Sequence, residues 1–100
     1  MKWDTIVKRT KLYAKARNKW GIRGQTIAAL EEFAELSVEL AKVLNAKRKL
    51  TDAYDLAKLV DEVTDAGIML EQIIFNYKLE ADVVGRRESK MSRLERRIKA

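Results

Sequence analysis

The sequence predicts an all-α fold: an antiparallel helical bundle of three to four helices, completed by oligomerisation. Proline is absent, and glycine occurs only at Gly21, Gly24, Gly67 and Gly85, so the usual punctuation of a β protein is missing. Apolar residues recur at spacings of three and four through most of the chain. A chain of 100 residues makes one domain with a modest core, and self-association is a common way to bury more surface at that size.

A first, basic helix is predicted over residues 4–19, with Trp3, Ile6, Val7, Tyr13 and Ala14 as a broken apolar stripe. The segment WGIRG at 20–24 places two glycines in five residues and is expected to end it. A second helix is predicted over 25–45. Its apolar positions, among them Ile27, Leu30, Phe33, Leu36, Leu40 and Leu44, cover more than half of its circumference, so it needs more than one neighbour. Glu31, Glu32, Glu35, Glu39 and Lys42 fill the narrow polar band left over.

The basic stretch AKRKL at 46–50 reads as a short loop, followed by Thr51 or Asp52 as the cap of a third helix reaching to about residue 80. Leu56, Leu59, Val60, Val63, Ala66, Leu70, Ile73, Ile74 and Tyr77 are its expected buried face; Asp61, Glu62, Asp65, Gln72 and Asn76 lie off it. From Arg86 a basic tail helix is expected, with Met91, Leu94 and Ile98 in register. The organisation is thus a single domain over 1–100: a basic N-terminal helix over 1–20, a helical hairpin over 25–82 and a basic helix over 86–100. Ile68, Phe75 and Leu79 fall outside the main buried face, which points to a homodimer or homotetramer.

Charge is segregated. Residues 1–24 carry eight Lys/Arg and one acid, residues 25–82 six and twelve, and residues 83–100 seven and two. The overall +6 therefore describes the ends and hides an acidic centre. There is no cysteine and no histidine, which removes disulfides, thiolate or imidazole nucleophile chemistry and the usual zinc ligands. A metal site here must use oxygen donors, favouring magnesium, manganese or calcium. The opening MKWDTIVKRTK lacks the apolar segment of a signal peptide and no apolar run is long enough to span a bilayer, so a cytoplasmic protein without membrane contact is expected.

Two acidic pairs interrupt the predicted hairpin, Glu32 with Glu35 and Glu62 with Asp65. Residues three apart lie on one helix face, so each pair can share a cation. With the two helices antiparallel, the pairs can face each other across the groove. Four carboxylates gathered there repel one another and raise each other's pKa values, a conflict that a divalent cation removes. No EF-hand loop is present, which favours magnesium, with manganese as the alternative, over calcium.

These residues resemble the MazG-like all-α nucleoside triphosphate pyrophosphohydrolases. The family pattern E-x-x-E, a gap, then E-x-x-D reads here as Glu32-Phe-Ala-Glu35, 26 intervening residues, and Glu62-Val-Thr-Asp65. Glu31 and Asp61 add an acid before each motif, although many relatives have EE where this chain has DE. Gln25 stands where similar proteins carry Gln or His, and the likeness spans about residues 20–80.

The resemblance implies magnesium-dependent cleavage of a nucleoside triphosphate to the monophosphate and pyrophosphate. It implies Glu32, Glu35, Glu62 and Asp65 as metal ligands, with Glu32 or Glu35 as general base. Lys90 and Arg93 match a family Lys–Asn–Arg pattern only loosely; they are candidates for triphosphate contact, as are Lys42, Lys58, Arg86 and Arg87. Gln25 is a substrate-binding candidate on the same resemblance. Trp20 is a candidate stacking surface for the base and Asn76 a candidate reader of its edge. Two other readings stand beside this one. The first is a non-catalytic helical interaction protein with solvated acids. The second is a basic nucleic-acid-binding module opened by QTIAALEEFAEL, which its acidic would-be recognition region disfavours.

Overall fold

The computed structural model describes residues 1–45 and 53–100. Three helical elements follow in order: α1 (Ile6–Val43), α2 (Ala53–Asn76) and α3 (Glu80–Lys99). Among the described residues there is no strand and no helix long and apolar enough to cross a membrane. The expected loop at 46–50 and the cap at Thr51 or Asp52 lie outside the described residues.

Thr5 caps α1, its Oγ1 accepting from the backbone N–H of Lys8 at 3.3 Å. The two helices expected over 4–19 and 25–45 form one helical run, interrupted at a single residue. Gly21 has φ 79° and ψ 156°, a conformation open in practice to glycine alone. The remainder of WGIRG stays helical, so this segment bends the run instead of separating two helices.

Beyond the bend, α1 pairs antiparallel with α2: Gln25 meets Gln72, and further along Glu32 meets Glu62. Before the bend, the N-terminal half of α1 crosses the last two turns of α2. There Arg9 Nε donates to Glu71 Oε2 at 3.0 Å, the Tyr13 hydroxyl donates to the same oxygen, and the Arg17 guanidinium lies 5.0 Å from the Phe75 ring centroid.

The hairpin turns an unexpected side inward. Among the described residues, those buried are Tyr13, Ala29 and Ala66, together with the polar Gln25, Glu39, Glu62, Gln72 and Asn76. Of the expected buried face of α2, only Ala66 is buried. Leu56, Val60, Val63, Leu70 and Tyr77 are exposed, and Leu59, Ile73 and Ile74 are half-buried. The residues expected off that face include three that are buried, Glu62, Gln72 and Asn76. Small side chains and hydrogen-bonding amides let the helices approach on this side, which leaves the bulky aliphatic stripe facing away from the protomer.

The end of α2 also differs from expectation. The helix stops at Asn76, and α3 starts at Glu80, six residues before the predicted tail helix at Arg86. Lys78 takes φ 56°, the Lys78 N–H donates to Phe75 O at 3.2 Å and the Leu79 N–H to Ile74 O at 2.9 Å. This is a Schellman stop with lysine at the position glycine usually takes. α3 then runs with Glu80 and Asp82 in its first turn and Arg96, Arg97 and Lys99 in its last, the arrangement its dipole favours. It touches α2 and not α1, and none of its residues is buried.

Candidate metal centre

The antiparallel register of α1 and α2 brings Glu32, Glu35 and Glu62 together. One carboxylate oxygen from each lies within 4.8 Å of the others. Glu35 is exposed, Glu32 half-buried, and Glu62 only 5% exposed. Glu32 Oε2 and Glu62 Oε2 are buried without a hydrogen-bond partner. Burial of a carboxylate oxygen with no donor is costly, and such oxygens are the usual ligands of a hard cation. The donor set fits magnesium or manganese on chemical grounds. Asp65, the fourth expected ligand, is exposed and falls outside the tight group, although its charge is felt by Glu32.

The electrostatics match that crowding. Burial pushes the Glu32 carboxyl above its ordinary value of 4.5, and the charges of Glu35, Asp65, Glu62 and Glu31 push it the same way. A cation stands at the edge of the group: Lys58, one turn before Glu62 on α2, places Nζ 2.9 Å from Glu62 Oε1. The hydrogen bond to Glu62 raises the Lys58 pKa, and the charges of Glu62, Glu39 and Glu35 add to the effect. In the sequence Lys58 is one of six cationic candidates; its spacing of four from Glu62 is the signal that separates it from the others.

The remaining predicted site residues are dispersed. Gln25 and Asn76 lie in the helix seam, bonded to each other, with Asn76 Nδ2 donating to Gln25 Oε1 at 2.7 Å and Gln25 Nε2 donating to Gln72 Oε1 at 2.7 Å. Trp20 is exposed beside the bend and lines a cavity of about 390 Å³ with Tyr13, Lys19, Ile68 and Gln72. Lys90 lines a groove on α3 with Arg86, Arg87, Val83, Met91 and Leu94, and Arg93 is exposed on the same helix. Because α3 does not contact α1, the protomer does not bring Lys90 or Arg93 to the three carboxylates.

No protein-family model, no curated protein and no solved structure matches this chain.

Proposed function

We propose that the chain is a magnesium-dependent nucleoside triphosphate pyrophosphohydrolase of the MazG-like kind, with manganese as the alternative ion. The observation that carries this reading is the meeting of Glu32 and Glu35 with Glu62, from two separate acidic motifs, with two of their oxygens buried and unpartnered. Glu62, Glu35 and Glu32 would hold the ion, while the exposed Asp65 lies outside their group and adds its charge to the site. When bound, the ion supplies charge neutralisation on phosphate oxygens and a water of lowered pKa. Glu32 or Glu35 takes the proton of the attacking water. Lys19 and Trp20, beside the cavity at the bend, offer a cation and a stacking surface for the far end of a nucleotide. A cytoplasmic place of action goes with that substrate.

We further propose that the working form is a homodimer or homotetramer. The protomer exposes 8104 Å², where a compact monomer of 11.5 kDa exposes about 5,800 Å². Its radius of gyration is 16.5 Å against about 13 Å for a compact domain of this length. The outward stripe of Leu56, Val60, Val63 and Leu70 and the bare apolar side of α3 are the surfaces to be covered. A second copy is the economical cover, and its basic α3 is the element able to carry Lys90 and Arg93 to an acidic site.

The test of the catalytic reading is pyrophosphate release from a panel of ribo- and deoxyribonucleoside triphosphates with and without magnesium. Monophosphate and pyrophosphate are expected. Diphosphate and orthophosphate would place the attack at a different phosphorus. No turnover with either ion would favour the interaction-protein reading, which the exposed aliphatic stripe also supports.

A further inference from the structure

The cluster carries its own cation. Lys58 and Glu62 lie one turn apart on α2, and the ammonium approaches only one oxygen of the carboxylate, Oε1, at 2.9 Å. The other, Oε2, is buried with no partner, as is Glu32 Oε2. The Glu62 side chain is 6% exposed while that of Lys58 is 47% exposed. The lysine therefore reaches in from solvent on a flexible stem, whereas the carboxylate is fixed in the seam. Glu39 is also buried in this seam, and its charge, with that of Glu35, acts on the same ammonium.

A single ammonium is a poor match for this group. It compensates one charge where Glu32, Glu35 and Glu62 supply three. It is also a compact, mobile ion that can leave without moving the backbone. We propose that Lys58 is a resident counter-ion that competes with the divalent cation for Glu62, offsetting carboxylate repulsion across the hairpin when the metal is absent and withdrawing toward solvent when it binds. This rests on the metal-centre reading above. Its consequence is a metal affinity set below what the carboxylates alone would give. Both cations draw on the same carboxylate charge, and a lysine left close to a divalent ion would repel it.

The experiment uses the full chain and Lys58→Met, which keeps the stem and removes the charge, with Lys58→Arg as the charge-retaining control. Free manganese is followed by electron paramagnetic resonance, and melting is recorded in chelator and with manganese added. Lys58→Met should bind manganese on the order of tenfold more tightly than wild type. It should also melt several degrees lower in chelator and regain more on adding manganese, while Lys58→Arg follows wild type. Equal or weaker manganese binding by Lys58→Met overturns the role of Lys58 and leaves the metal centre standing. Manganese bound by none of the three proteins overturns both. An unchanged or higher melting temperature of Lys58→Met in chelator shows that the lysine does not stabilise the metal-free hairpin, and also overturns the proposal.

Discussion

Gln25 and Asn76 are joined across the α1–α2 seam by a hydrogen bond of 2.7 Å, with both residues at least 95% buried. Gln25 passes the chain on to Gln72, so a single amide on α1 fixes two positions, one turn apart, on α2. A slip of one residue would leave these amides unpaired in the seam. We expect Gln25→Ala to cost about 1–3 kcal/mol, the penalty of stranding buried polar partners. Urea unfolding measures it; a midpoint equal to wild type would show that the amides do not set the register.

At the cluster, Glu35→Gln and Glu62→Gln should abolish turnover while Glu32→Gln should in addition raise the melting temperature in chelator. The Glu32 carboxyl is held above its ordinary range first by burial and then by its acidic neighbours, so neutralising it removes a native-state penalty. Glu62 differs because Lys58 already offsets its charge. A Glu32→Gln protein that melts below wild type in chelator would show that the carboxylate makes a stabilising contact instead.

Two backbone positions give opposite signs. Gly21→Ala should destabilise by about 1–3 kcal/mol, because φ 79° with ψ 156° is closed to alanine. Lys78→Gly should stabilise by about 0.5–1 kcal/mol, relieving the left-handed strain at φ 56° net of the added chain entropy. Both follow from denaturant midpoints, and a neutral Gly21→Ala would mean that the bend is not required.

Tyr13 should titrate late. Burial, then its hydrogen bond to the Glu71 carboxylate, moves the phenol from 10.0 to about 12. The folded value lies above the unfolded one, so this group's stabilising contribution is complete below pH 10 and is lost as pH rises through about 12. Ultraviolet titration of tyrosinate should show a late phenol that Glu71→Gln moves down. If every tyrosine of the folded protein titrated near 10, the Tyr13–Glu71 contact would not persist in solution.

Light scattering at micromolar concentration should give a mass at least twice 11.5 kDa. Leu94→Glu, which puts a charge on the apolar side of α3, should shift the protein toward monomer. Mixing Glu62→Gln with Arg93→Ala should restore activity if one copy's α3 completes the other's site. A wild-type mass near 11.5 kDa would sink the assembly reading, and no recovery on mixing would confine each site to one chain.

The sequence by itself determined the all-α class, the acidic centre between basic ends, and the two motifs whose spacing on helices gathers Glu32, Glu35 and Glu62. These depend on local periodicity and residue type, which a linear chain displays. It did not determine which side of α2 faces α1. Aliphatic periodicity marks residues that want burial without saying in which interface, so Leu56, Val60 and Val63 read as the hairpin's interior when the seam belongs to Ala29, Ala66 and the amides. The stop at Lys78 was equally hidden, because lysine gives no signal for a left-handed backbone. The place of Lys58 beside Glu62 follows from a spacing of four on one helix, whereas the separation of Lys90 and Arg93 from the acids came only from the tertiary structure. Whether the basic side chains of α3 meet the acidic cluster depends on the direction the chain takes at Lys78, and composition carries no record of direction.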